Sequence, residues 1–155
     1  MKEADPRMHT AEHLMSGVLV RMFGMDRPFT THIEKKKSKA DYRFDRTLTD
    51  QEARAVEAHV NDLIVADLPV TEEFLTLEEA GPRFNLSRIP EGSGDRVRIV
   101  HCGDADACPC IGPHVASTAA CGHFRLISWS HEEGALRIRF KLDGSPSEQD
   151  HAPTH

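Results

Sequence analysis

Hydrophobic and polar positions alternate along this chain with two different periods. Met8, Ala11, Met15, Val18, Leu19 and Met22 recur at near-helical spacing behind Asp5-Pro6, a capping residue followed by the residue type favoured at the first helical position. The spacing predicts a helix that stops near Gly24. Thr49–Glu52 (TDQE) forms a capping box, and Ala53, Val56, Val60, Leu63 and Ile64 mark one face of a second helix that closes before Pro69. A shorter box, Thr76–Glu79 (TLEE), opens a third, brief helix. Elsewhere the period drops to two: Ala40, Tyr42 and Phe44; Val97 and Ile99; then Leu136, Ile138, Phe140 and Leu142. Phe124–Trp129 (FRLISW) is a further strand, and Phe29–Ile33 a weaker one. Together they predict an α+β domain, a largely antiparallel β-sheet with one face solvated and the other covered by helices.

Residues 1–142 are expected to form a single domain, because 155 residues with 39 % hydrophobic side chains can supply one core. Asp143–His155 (DGSPSEQDHAPTH) has almost no apolar side chains to bury and is expected to be a disordered tail. Nineteen Lys and Arg against 25 Asp and Glu leave a formal charge of −6, which excludes a bulk positive field, so any RNA contact must be local. No apolar stretch approaches the roughly 20 residues of a membrane span, and the charged start has no signal-peptide core. A soluble cytoplasmic protein with no membrane partner is expected.

Cys102, Cys108, Cys110 and Cys121 lie close together, and in a reducing compartment such clustering points to metal or thiol chemistry rather than a disulfide framework. His9 and His13 sit one turn apart on one face of the first helix, a separation a single ion can bridge. Cys110 and His114 (CIGPH) repeat that separation, but Gly112-Pro113 forbids an ordinary helix and implies a tight turn with both side chains to one side. Taken singly, the first pair also reads as a surface pair, and the second as a buried small hydrophobe and a turn residue. Together they offer one thiolate and three imidazoles, which suits tetrahedral zinc. The long interval between the pairs suggests a site that closes a pocket on a finished domain rather than a folding staple. Cys108 reads as a bystander, Cys102, His101 and Cys121 have no spacing that ties them to the site, and His123 and His131 read as surface or strand residues.

HTAEH at 9–13, followed by CIGPHV at 110–115 and Thr118, resembles the second additional domain shared by alanyl- and threonyl-tRNA synthetases. That domain hydrolyses mischarged aminoacyl-tRNA. The chain is also similar to the free-standing AlaX proteins. The likeness runs over about residues 9–142, through HTAEHLMSGVL, ADYRFD, HVNDLI, EEA, VRIV, DACPCIGPHV and RIRFKL. It implies a class II synthetase editing-domain-like fold, with Zn2+ held by His9, His13, Cys110 and His114. It also implies a metal-dependent deacylase acting in trans on a tRNA acceptor end that carries a wrong amino acid. CIGPH is closer to the C-x-G-P-H of threonyl domains, which keeps Ser-tRNA(Thr) open as a substrate. DACPC, RIRFKL and the lack of an AYWRG-like segment after Trp129 favour Ser-tRNA(Ala) and Gly-tRNA(Ala). A zinc-containing RNA-binding module without hydrolysis, or a metal-dependent hydrolase of small esters, are the competing readings.

The ester of aminoacyl-tRNA is already activated, so a site need only place water and stabilise the oxyanion. Zinc could lower the pKa of a water or bind the substrate's α-amino group. A pocket built for alanine rejects serine by only about 10²-fold, whereas one that hydrogen-bonds the serine hydroxyl reverses the preference. Thr30 and Thr31 are candidate hydroxyl partners, or ordinary strand residues. Lys35, Lys36, Lys37, Lys39 and Arg43 form the basic run best suited to RNA phosphates, or a solvated hairpin tip. Arg137, Arg139 and Lys141 alternate on the last strand and could extend the patch or keep that face soluble.

Overall fold

A computed structural model describes residues 5–84 and 96–143. The expected tail lies outside these residues from position 144 onward, whereas Asp143 itself ends a strand. Helix α1 (Pro6–Phe23) begins where the Asp5 carboxylate accepts from the Arg7 and Met8 amides, and ends at Gly24 in the left-handed conformation, φ 71°. Helix α2 (Asp50–Val65) and the one-turn α3 (Leu77–Ala80) both start in complete capping boxes, Thr49 with Glu52 and Thr76 with Glu79. No helix among the described residues is long and apolar enough to cross a membrane.

Strands β1 (Thr30–His32), β2 (Ser38–Arg43), β6 (His123–Glu132) and β7 (Ala135–Asp143) form a four-stranded antiparallel sheet in the order β1-β2-β7-β6. Ala40, Tyr42, Phe124, Leu136, Ile138 and Phe140 point inward from it and share one core with α1 and α2. Lys39, Arg137 and Arg139 take the opposite face, since alternate side chains on a strand lie on opposite sides. The expected α+β class holds, with one addition among the described residues. Strands β3 (Val70–Thr76), β4 (Arg96–Cys102) and β5 (Asp106–Pro109) make a second antiparallel sheet, order β3-β4-β5. Sequence periodicity misses β3 and β5 for a physical reason. The β3–β4 pair is joined outside its small core by charged contacts, Glu72 with Arg98 and Glu73 with His101, so β3 carries no apolar alternation.

Helix α1 also differs from the expected one-sided helix. Residues 10–19 are buried on every side, including the polar Thr10, Glu12, His13 and Ser16, so the helix has a polar interior face as well as an apolar one. The segment after β5 covers that polar face at Thr10 and is fixed to the start of β3. Val70 N–H donates to Ala116 O, and Thr118 N–H donates to Leu68 O. The buried Thr118 hydroxyl donates to Leu63 O and accepts from Leu68 N–H, both at 2.8 Å. Thr118→Val keeps the shape but strands a half-buried amide and a half-buried carbonyl, and is expected to cost about 1–3 kcal/mol of stability in urea unfolding. A variant as stable as the parent would contradict this anchoring.

Candidate metal centre

One turn of α1 places His9 and His13 side by side, and the turn that follows β5 brings Cys110 and His114 against them. Cys110 Sγ lies 3.3 Å from His9 Nε2 and 3.4 Å from His114 Nε2. The His9 and His114 rings stack at 4.4 Å between centroids, and the His13 ring stands edge-on to both. One donor atom from each of the four residues lies within 4.8 Å of every other. With Zn–N near 2.05 Å and Zn–S near 2.3 Å, the edges of a zinc tetrahedron measure about 3.3–3.6 Å, so the observed S···N separations need little adjustment to receive an ion.

Arg98 on β4 holds the turn in place. Its Nη1 donates to Cys110 O at 3.1 Å and Gly112 O at 2.7 Å, while Cys110 N–H donates back to Arg98 O. Gly112 N–H donates to Cys110 Sγ at 3.4 Å, an interaction that favours thiolate. Position 112 has to be glycine because a Cβ there would collide with Cε1 and Nδ1 of the His9 ring. Thr10 Oγ1 lies 2.9 Å from His114 Nδ1, and the tautomer in which Nδ1–H donates to it leaves the Nε2 lone pair facing the cluster. His13 Nδ1 lies 3.7 Å from Asp106 Oδ2 and 3.7 Å from Cys108 Sγ. His13, Asp106 and Cys108 make a second donor group, but Arg27 already supplies its cation through a two-point contact with Asp106 at 2.8 and 3.2 Å.

Burial, reinforced by the neighbouring imidazoles, pushes His114 down to about 3 and His13 well below its ordinary value. Both rings are therefore neutral at neutral pH with no proton to displace. Burial raises Cys110, and the Gly112 amide partly opposes it. The donor set is thus three imidazoles, of which His13 and His114 are held neutral by burial, and one thiol, a composition suited to a cation.

The cluster forms one wall of a cleft of about 780 Å³ whose lining includes Glu12, Arg27, Thr31, Phe84 and Cys108. Thr31 pairs with the inward-facing Ala40 and reaches this cleft. Thr30 pairs with Asp41, on the opposite face, and is not among the lining residues. The basic run does not line the cleft either. Lys35, Lys36 and Lys37 are exposed between β1 and β2, and Lys39 stands directly across from Arg139 on the outer sheet face. Arg43 packs over the Phe29 ring at 4.2 Å. Arg137 is held by Asp41 at 2.7 and 3.0 Å, so it is less available to a phosphate than Arg139. His101 pairs with Glu73, His131 donates to Phe44 O, and His123 is exposed beside Asp143. Thr10, Glu12, Arg27, Arg98 and Asp106 were not identified from sequence. The only local signal was that Thr10 and Glu12 lie inside HTAEH, on the histidine side of the helix.

Residues 97–139 match the family described as threonyl and alanyl tRNA synthetase second additional domain. Among curated proteins it is similar to the alanine–tRNA ligase of Treponema denticola, 34 % identical over 149 residues, covering 91 % of this chain and 24 % of the relative. The alanine–tRNA ligase of Coxiella burnetii is 35 % identical over 140 residues, covering 89 % of this chain and 16 % of the relative. That of Pseudothermotoga lettingae is 31 % identical over 140 residues, covering 85 % and 16 %. The chain spans between 16 % and 24 % of the length of these relatives.

Gly112→Ala is expected to drive the His9 ring away from Cys110 and to cost about 1–3 kcal/mol, the usual penalty for overfilling a packed site. A crystal structure of the variant with His9 unmoved, together with unchanged urea unfolding, would contradict the close approach.

Proposed function

We propose that this chain hydrolyses the ester of mischarged aminoacyl-tRNA, Ser-tRNA(Ala) foremost and Gly-tRNA(Ala) second, acting in trans and in the cytoplasm. The observation that carries this reading is a donor set of three imidazoles and one thiol opening onto a cleft in a chain whose residues 97–139 match this domain family. His9, His13, Cys110 and His114 are the residues that would hold Zn2+, with Thr10 orienting His114 and Arg98 fixing the turn. When bound there, zinc supplies Lewis-acid polarisation to the reacting ester or to the attacking water.

The remaining work falls to the chain's own residues. A cleft of about 780 Å³ is large enough for an aminoacylated nucleoside and shields the ester from bulk water. Thr31 offers a hydroxyl partner for the serine side chain on the cleft side of β1. Such a bond selects serine over alanine, because alanine would leave the threonine hydroxyl unpaired. Lys35, Lys36, Lys37, Lys39 and Arg43, with Arg139 beside Lys39, are the local positive surface that would meet tRNA phosphates outside the cleft. That surface also favours the second reading, a module that binds tRNA without turnover.

The deciding assay adds the 155-residue chain to Ser-tRNA(Ala), Gly-tRNA(Ala), Ser-tRNA(Thr) and Ala-tRNA(Ala) and follows ester loss. Serine and glycine are expected to be removed from tRNA(Ala) while Ala-tRNA(Ala) survives. Faster loss from Ser-tRNA(Thr) would move the assignment to the threonyl type, and tRNA binding with no hydrolysis would leave the binding module. Metal analysis is expected to find one zinc per chain in the parent and none in Cys110→Ala. Thr10→Val should bind zinc about 10–100-fold more weakly, the usual effect of losing a group that orients a ligand. Equal affinity would show that Thr10 does not hold His114.

A further inference from the structure

Glu12 has no task in the reading above, yet it lies on the cleft wall immediately before His13 and is only 5 % exposed. Enclosing a carboxylate costs several kcal/mol unless the fold satisfies it. Here two hydroxyls do so in series. Ser16 Oγ–H donates to Glu12 Oε2 at 2.5 Å, which leaves the Ser16 oxygen to accept from Tyr42 O–H at 2.8 Å. Tyr42 is fully buried on β2, so this chain of hydrogens runs from the sheet to the carboxylate and fixes its orientation. The other oxygen, Oε1, lies 4.0 Å from His13 Nε2, toward the donor cluster.

The charges around the cleft give this arrangement a purpose. Arg27 is engaged at two points by Asp106, so that pair is internally balanced. A divalent ion with one thiolate adds a net positive charge to the cleft wall, and an aminoacyl ester brings another in its α-ammonium group. Glu12, a buried carboxylate on the lining, brings one negative charge against these two. An ammonium offers three donors in any rotation, and a carboxylate oxygen held beside the reacting centre accepts one of them as a charge-assisted bond.

We propose that Glu12 binds the α-ammonium group of the aminoacyl ester, so that the cleft admits esters of free amino acids and discriminates against acyl groups that lack the amine. The proposal rests on the editing reading for its substrate class. Ser16 and Tyr42 are positioning residues that hold Glu12 toward the amine.

The test measures binding rather than turnover. The probes are 3′-(L-seryl)amino-3′-deoxyadenosine, whose amide link resists hydrolysis, and the same compound with 3-hydroxypropanoyl in place of seryl, which lacks only the amine. Titration calorimetry on the zinc-loaded chain at pH 6.5 is expected to show the seryl compound binding at least about tenfold tighter. In Glu12→Gln the ratio should fall below about twofold, with zinc content and binding of the des-amino compound unchanged. A ratio that persists in Glu12→Gln, or a parent chain that does not distinguish the two compounds or binds neither, overturns the proposal. A base role for Glu12 would also leave the ratio intact and so counts against it.

A crystal structure of the parent chain with the seryl compound gives a second readout that does not depend on how the variant folds. The amine nitrogen is expected within about 3 Å of a Glu12 oxygen. An amine seated on the metal with Glu12 unengaged is the contrary result. Failure of the parent chain to hydrolyse Ser-tRNA(Ala) would count against the editing reading alone, so the two failures are told apart.

Discussion

The polar side of α1 is buried between β2, β5 and the turn that Arg98 holds, and everything chemical in this structure depends on those contacts. Thr10, Glu12, His13 and Ser16 would each be costly to bury alone. They are tolerated because each meets a partner within the fold: His114 for Thr10, Ser16 for Glu12, Asp106 and Cys108 for His13, Tyr42 for Ser16. Partnering of this kind makes the site rigid. It also makes it demanding, since removing one member leaves a buried polar group unsatisfied.

Three imidazoles and a thiol packed within 4.8 Å of one another make a poor hydrophobic core and a good cation cage. Rings packed with nitrogens toward a common centre gain little from each other, and the burial that holds His13 and His114 neutral also leaves their lone pairs available. On the outer side of the molecule the electrostatics run the other way. Lys39 and Arg139 face each other across neighbouring strands, an arrangement that weakens a sheet unless an anion relieves it. In a chain of net charge −6, positive potential on that face is a local device rather than a general property. The proposed division of labour, a cleft for the acyl group and an outer basic face for the nucleic acid backbone, follows from these two surfaces.

Much of this was legible in the sequence where the signal is local. Asp5-Pro6, TDQE and TLEE placed all three helix starts because capping is decided within four residues. The alternation in residues 136–142 gave β7, whose inner face is core. The His9/His13 and Cys110/His114 spacings named the cluster because each pair is a short-range motif. What escaped depends on tertiary register. Strand β3 is stabilised by cross-strand charge pairs and so has no apolar period. Thr30 and Thr31 are equivalent as letters, and only the pairing with Asp41 and Ala40 decides which one reaches the cleft. Arg98, Arg27, Asp106 and Tyr42 act on residues far away along the chain, and no spacing rule connects them.

The convergence of these four donors on one ion is the central claim, and X-ray absorption at the zinc K-edge of the zinc-loaded chain tests it most directly. The structure predicts one sulfur scatterer near 2.3 Å and three nitrogen scatterers near 2.0–2.1 Å. A shell with no sulfur would remove Cys110 from the site, and one with two sulfurs would bring in Cys108. Either result would contradict the account.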